Sequence, residues 1–219
     1  MLTYEQVTKS ETIRTYISRA DESLDALGFT VHSFSHVIPV AEMAGYILET
    51  LGYDDRTVEL TKIAGYLHDI GNLVNRKDHS QSGAVMAWSI LNDMGCDPGE
   101  IATIVTAIGN HDEGTGVPVN AVSAALILAD KADVRRSRVR NKDISTFDIH
   151  DRVNYSVKNS VVTVKKDIKE LWLELIIDTK ISSVMDYFEI FLQRMIMCRK
   201  AAESLGLKFA LIVNGQQLL

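Results

Sequence analysis

Apolar residues recur at intervals of three and four through the first 140 residues of this 219-residue chain, a spacing typical of amphipathic helices. Gly28, Gly52, Gly71 and Gly95 directly follow such runs, where glycine commonly ends a helix. Asp78 and Gln81 have the spacing of a capping box at the start of the fourth run. The pattern predicts six helices in a compact bundle, over 4–27, 31–51, 55–70, about 78–95, 98–110 and 118–139.

After residue 150 the apolar period changes to two, which indicates β-strands. Strands are predicted around 153–157, 162–164, 171–177 and 209–213, with a turn at 158–160 and a helix over 183–204. The predicted fold class is mainly α: a helical bundle over residues 1–145 and a small α+β appendage over 146–219. The appendage has the order β-β-β-α-β, and we expect an antiparallel sheet that packs on the bundle.

Composition excludes several classes of protein. An apolar fraction of 46% excludes intrinsic disorder, and two cysteines are too few for a disulfide framework. A net charge of −6 argues against a partner that is a nucleic-acid polymer or an anionic membrane. The polar N-terminus lacks the layout of a signal peptide, and no apolar run approaches the length of a membrane span. We therefore expect a cytoplasmic protein.

The histidines carry the functional signal, because four of the six lie near helix starts or ends with carboxylates close by. Asp130 follows an apolar run, where a buried, unpaired carboxylate would cost several kcal/mol, so it must be paired, protonated or bound to a metal. Imidazole and carboxylate together suit Fe, Mn, Zn, Co or Ni better than Ca or Mg. One ion would not use all the candidates, whereas two ions sharing a carboxylate could. The candidate ligands are His36, His68, Asp69, His79, His111 and Asp130.

The order of these residues resembles the HD superfamily of metal-dependent phosphohydrolases, an all-helical fold. The likeness covers about residues 32–140 and lies in the helix that begins at His36, in the pair His68-Asp69 before Gly71, and in 129–133 around Asp130. His79 and His111 are similar to the additional histidines of binuclear members, including the HD-GYP cyclic-dinucleotide phosphodiesterases. The chain departs from that class at Asn110, where the class has a second histidine, and in 114–118, where Val stands for Tyr.

The resemblance implies a centre of two divalent transition-metal ions, Fe, Mn, Ni, Co or Zn, with a bridging hydroxide that attacks phosphorus. His36, His68, Asp69 and Asp130 would hold the first ion, while His79 and His111 would complete the second and Asp69 would bridge both. Lys131 would neutralise developing negative charge. The implied substrate is a small phosphorylated molecule, either a phosphomonoester or a nucleotide, cyclic or linear, and a homodimer is possible.

Several alternatives stay open at this stage. His32 shares a helix face with His36, so either could be the first ligand, and the family spacing favours His36. Lys131, Arg135 and Arg138 lie at i, i+4 and i+7, so they are either phosphate-binding residues or a solvated basic end of a helix. Two other functions are a di-iron oxygenase on the same fold and a non-catalytic signalling or binding module.

Overall fold

Seven helices form the first two thirds of the computed structural model, which describes all residues from 1 to 219. Short 3₁₀ turns follow some of them, at Ile70–Leu73 after the fourth helix and at Arg136–Arg138 after the seventh. The helices are α1 (Tyr4–Lys9), α2 (Glu11–Ala26), α3 (Phe34–Leu51), α4 (Asp55–Leu67), α5 (His79–Asp93), α6 (Pro98–Gly109) and α7 (Ala121–Ala132).

Side-chain caps set several helix boundaries that apolar spacing alone does not predict. The predicted helix 4–27 is two helices, because Ser10 leaves the helical conformation and its hydroxyl accepts a hydrogen bond from the Ile13 amide. Such a cap satisfies one of the free N–H groups that begin a helix. The predicted capping box at Asp78 is wrong: Asp78 has a φ of 57° and makes no capping bond. The Gln81 amide instead donates to the Gly109 carbonyl.

The last helix of the bundle is much shorter than the predicted 118–139. It begins after Asn120, which forms a capping box with Ser123, and it ends at Ala132. Asp133 leaves the helical conformation, with a ψ of 68°, and the chain beyond it is extended at Arg135. The basic residues around 131–138 therefore do not form one helical stripe.

The C-terminal region has the element order α-β-β-α-β-β instead of β-β-β-α-β. The predicted strand around 153–157 is mostly helix, and the predicted turn at 158–160 lies inside a strand. The elements are α8 (Ile149–Ser156), β1 (Val157–Lys165), β2 (Glu170–Ile177), α9 (Val184–Ser204), β3 (Lys208–Val213) and β4 (Gln216–Gln217).

The sheet has the order β1-β2-β3-β4 and is mixed, not antiparallel throughout. β1 and β2 pair antiparallel, whereas β2 and β3 pair parallel, with Leu171 opposite Phe209 and Leu173 opposite Leu211. Two parallel neighbours need a crossover connection, and α9 is that connection.

One apolar core runs through the bundle and into the sheet, with α7 at its centre. Eleven of the twelve α7 residues, all except Ala121, are buried, and α7 packs against α3, α4, α6 and α9. A division of the chain near residue 145 stays a prediction. No helix has both the length and the apolar content that crossing a membrane requires.

Candidate metal centre

Five helices converge on one point, and each brings a candidate ligand to it. His36 lies in α3, His68 and Asp69 follow α4, His79 begins α5, His111 follows α6, and Asp130 lies in α7. All six side chains are buried, and none is more than 8% exposed. The structure thus brings together residues that are separated by up to 94 positions in the sequence.

Hydrogen bonds fix the orientation of the four imidazole rings. In each ring Nδ1 contacts an oxygen that can only accept, so Nδ1 carries a proton and Nε2 is the nitrogen left to bind a metal in the neutral imidazole. The distances are 2.7 Å from His36 to Asp133 Oδ2, 2.8 Å from His68 to Gly65 O, 3.1 Å from His79 to Arg76 O, and 2.6 Å from His111 to Ile108 O.

The four Nε2 atoms form two groups, one on each oxygen of Asp69. Asp69 Oδ2 lies 3.2 Å from His68 Nε2 and 3.5 Å from His36 Nε2. Asp69 Oδ1 lies 3.4 Å from His79 Nε2 and 3.9 Å from His111 Nε2. Asp130 Oδ1 completes the first group, at 3.3 Å from His36 Nε2 and 3.6 Å from His68 Nε2.

Three buried atoms at this point have no hydrogen-bond partner: His36 Nε2, His68 Nε2 and Asp69 Oδ2. Leaving a buried polar atom unpaired typically costs about 1–3 kcal/mol. Three such atoms in one place favour a cation that accepts their lone pairs. Nitrogen and carboxylate donors with this arrangement suit a divalent transition metal. The residues present therefore fit a metal ion, and His36, His68 and Asp130 have ligand atoms close enough to share one.

The electrostatics of the cluster favour a cation. Burial lowers the pKa of His68, but the Asp69 and Asp130 carboxylates outweigh burial and raise it to about 10. Burial and the neighbouring charges of His68 and Lys131 hold the pKa of His111 well below its usual range. His111 is therefore a neutral imidazole at pH 7, as a metal ligand must be.

The three cations predicted to bind phosphate have different positions. Lys131 is 4% exposed, and its Nζ lies 2.7 Å from Asp130 Oδ2 and 3.2 Å from Glu113 Oε2. Arg138 is buried at the cavity wall, where it donates to the Val31 carbonyl. Arg135 is directed away, towards Asp133 and the Ser35 carbonyl, so the structure does not place it at the centre.

A cavity of about 260 Å³ lies beside the cluster, and its walls include residues that the sequence reasoning missed. Arg76 and Arg194 line both this cavity and the small polar pocket over the ligands. His32 also lines the cavity and the pocket. The ligand cluster itself contains His36 and not His32. Arg194 belongs to α9, and no local sequence signal connects it with residues near 70. Asp133 could have been found from the sequence, because a residue three positions after Asp130 lies on the same face of a helix.

The sequence pattern of the HD domain family matches residues 33–151, just over half of the chain. This chain belongs to the HD domain family. Family membership, together with the His/Asp clusters, supports a metal-dependent phosphohydrolase in general. The match ends before the sheet and α9, so those elements lie outside the family pattern.

Similar proteins differ in how much of their length they share with this chain. Ribonuclease Y 1 of Pediococcus pentosaceus is 29% identical over 116 residues, which are 52% of this chain and 20% of that protein. The chain thus spans about a fifth of its ribonuclease Y relatives. Uncharacterized protein MJ1020 of Methanocaldococcus jannaschii is 25% identical over 202 residues, with 81% of this chain and 76% of that protein covered.

A solved structure is also similar. It is the crystal structure of a predicted HD superfamily hydrolase from an uncultured Thermotogales bacterium, 28% identical with a TM-score of 0.46. The similarity covers 57% of this chain and 67% of that chain.

Proposed function

We propose that this protein hydrolyses a small phosphate ester or a nucleotide, cyclic or linear, through a centre of two divalent transition-metal ions. The observation that carries the proposal is the position of Asp69. Its two oxygens face two different pairs of histidine Nε2 atoms at 3.2–3.9 Å. A carboxylate placed between two nitrogen pairs is suited to bridge two ions.

In this proposal His36, His68, Asp69 and Asp130 would hold one ion, and His79, His111 and Asp69 would hold the other. When bound, such a pair of ions polarises a phosphoryl oxygen and makes water acidic enough to supply a nucleophile at neutral pH. Fe, Mn, Co, Ni and Zn all suit these ligands.

The remaining side chains of the site hold protons and charge in fixed places. Asn72 donates to Asp69 Oδ1 at 3.0 Å and so restrains the carboxylate between the two histidine pairs. Burial lowers the pKa of Lys131, but Asp130 and Glu113 outweigh burial and raise it, so the ammonium stays charged. A fixed cation beside the cluster stabilises negative charge that develops on phosphate oxygens.

The cavity supports a small substrate over an RNA polymer. Its volume of about 260 Å³ lies just below the usual range of small-molecule pockets, about 300–1,000 Å³. Arg76, Arg138 and Arg194 line it, which suits a phosphorylated molecule. The ribonuclease Y relatives carry a name that implies RNA cleavage, so a short RNA belongs in any substrate test.

The test combines elemental analysis with phosphate release. We expect two transition-metal ions per chain, and phosphate release from a panel of nucleotides, cyclic dinucleotides, aryl phosphates and a short RNA. A single ion per chain would contradict the binuclear centre. Iron-dependent O₂ consumption without release of phosphate from any substrate would replace the phosphohydrolase by an oxygenase, and no turnover of either kind would favour a binding module.

Lys131→Met tests whether the buried ammonium takes part in phosphate chemistry. We expect kcat to fall on the order of 100-fold, the usual effect of losing one preorganised contact to developing charge, while metal content stays unchanged. Lys131→Arg should restore little, because a planar guanidinium does not replace a compact ammonium. Steady-state kinetics on the best substrate, with metal analysis of each variant, would measure this. Wild-type turnover in Lys131→Met would remove the residue from the mechanism.

A further inference from the structure

Arg194 reaches the metal centre from α9, outside the segment that the HD domain family matches. Its Nε lies 2.5 Å from Glu113 Oε1, and Glu113 Oε2 in turn contacts Lys131. Arg194 also lines the polar pocket that contains Asp69, His79, His111 and Asp130. A residue of the C-terminal region is thus part of the wall around the candidate ligands.

The guanidinium of Arg194 is held in place by two neighbours, but its terminal donors remain available. Glu113 Oε1 lies 2.5 Å from Nε as an ion pair, and the Phe191 ring lies under the guanidinium with its centroid 4.2 Å away. Neither Nη1 nor Nη2 makes a hydrogen bond to the chain, and the side chain is 24% exposed. Arginine binds phosphate through two parallel N–H donors, and here two such donors are free at the cavity.

The other arginines of the cavity are more fully engaged by the protein. Arg138 is 5% exposed and donates to the Asp133 and Val31 carbonyls. Arg76 donates to Asn72 Oδ1 and lies 4.0 Å from Asp69 Oδ1. Arg76 and Arg138 each use Nη1 for a hydrogen bond to the protein, so Arg194 is the arginine of the cavity that keeps both Nη groups for a ligand.

We propose that Arg194 is a substrate-binding residue, whose free Nη atoms bind phosphate oxygens beside the metal centre while Glu113 and Phe191 fix the guanidinium. The inference rests on the proposed function for its ligand class, which is a phosphate ester and its orthophosphate product. It makes α9 part of the active site. The substrate site is then completed by a segment outside the HD domain.

The test measures binding of inorganic phosphate to the Mn²⁺-loaded 219-residue chain by calorimetry. Arg194→Met should weaken phosphate binding by about 10- to 100-fold, the usual effect of losing a charge-assisted pair of hydrogen bonds. Arg194→Lys keeps the positive charge but loses the pair of parallel N–H donors. Its phosphate affinity should therefore lie between those of the wild type and Arg194→Met. The matched control is Arg199→Met, an exposed arginine five residues further along the same helix, which should bind phosphate as the wild type does.

Metal content and the melting temperature separate binding from structure. We expect Arg194→Met to keep both ions and to raise KM more than it lowers kcat. If Arg194→Met does not fold, Arg194→Lys decides, because it retains the ion pair with Glu113. Unchanged phosphate affinity in the folded variant, or no phosphate binding by the wild type, overturns the inference. Absence of hydrolysis by a wild type that still binds phosphate through Arg194 would overturn the proposed function alone.

Discussion

At the scale of single residues, the site depends on which nitrogen of each histidine is free. Backbone carbonyls accept the Nδ1 proton of His68, His79 and His111. His36 differs, because its Nδ1 donates to a carboxylate, Asp133 Oδ2, at 2.7 Å. A carboxylate partner makes an imidazole a stronger donor to a metal than a carbonyl does. Asp133 therefore orients His36, and in the proposed function it would be a positioning residue for the ion that His36 holds.

Replacing Asp133 by Asn tests that role. The amide still accepts the hydrogen bond but removes the negative charge, so we expect Mn²⁺ affinity to fall about 10- to 100-fold. Competition with a fluorescent chelator would measure the change. Asp93→Asn, at an exposed position of α5, is the control and should bind Mn²⁺ normally. Equal affinity in both variants would mean that ring orientation is set by packing alone.

The proposed centre of two ions predicts that loss of Asp69 removes both. Asp69→Ala takes one oxygen from each group of ligands, whereas His111→Ala takes a ligand from the second group only. Elemental analysis should therefore find almost no metal in Asp69→Ala and about one ion in His111→Ala. Circular dichroism should show a folded helical protein in both, because a large apolar core carries most of the stability. Two ions retained in His111→Ala would show that the second group is assigned wrongly.

The sequence could single out the residues that the structure brings together, because their signal is local. A histidine beside an aspartate at a helix end, or an aspartate after an apolar run, is visible without a structure. Arg76 and Arg194 were not predicted, since nothing near them in sequence differs from a solvated surface arginine. Their role depends on which helices meet, and that information lies in the packing.

At the scale of elements, α3 and α4 lie unusually close where they carry His36 and His68. A Cβ on Gly65 would lie 2.6 Å from Ala41 Cα, closer than atoms can pack. The Gly65 carbonyl also accepts the Nδ1 proton of His68. The glycine therefore brings the two backbones together and orients a candidate ligand on the same turn.

Gly65→Ala should reverse the usual effect of this substitution in a helix. In an open helix alanine stabilises by about 1 kcal/mol, but here overpacking should destabilise by about 1–3 kcal/mol. Urea unfolding would measure the change. Gly109→Ala is the control, because its Cβ would meet only Ala84 Cβ at 3.6 Å. A Gly65→Ala protein as stable as the wild type would contradict the close packing.

Helix and strand were harder to tell apart where the spacing of apolar residues fits both. Val153, Tyr155 and Val157 alternate like a strand, yet Val153 and Val157 are also four apart, as on one face of a helix. Asp148 settles the choice, because its side chain accepts from the Asp151 amide and begins α8. At the early end of α7, the Asp133 carboxylate pairs with His36, which lies 97 positions away in the sequence, and local spacing does not contain that contact.

At the scale of the whole molecule, the bundle and the sheet share one buried core. Leu211 and Leu175 of the sheet belong to the same apolar cluster as Ile127 of α7. The C-terminal elements thus share a core with the bundle, and Arg194 of α9 lines the pocket over the candidate ligands. A homodimer stays a prediction, which sedimentation equilibrium would test.

The shared core also contains both thiols, Cys96 and Cys198. Burial raises the pKa of Cys198 to about 12, so the folded state disfavours the thiolate. The free energy of unfolding should therefore fall as pH rises above about 8.5, the value for an exposed thiol. A thiol reagent at pH 8 should label neither cysteine in the native protein and both in denaturant. Rapid labelling of the native protein would contradict this burial.

The side of α9 on which Arg194 lies is fixed by how this helix is held between β2 and β3. Both ends of α9 connect to neighbouring parallel strands, and Phe191, Met195 and Cys198 on one face of the helix are buried in the core, so packing of that face fixes the rotation of the helix about its axis. Each residue inserted into a helix rotates everything beyond it by about 100°. One residue added between Val184 and Arg194 would therefore carry the arginine around to another face. Relatives that use this arginine should conserve the length of that half of the helix even where its sequence drifts.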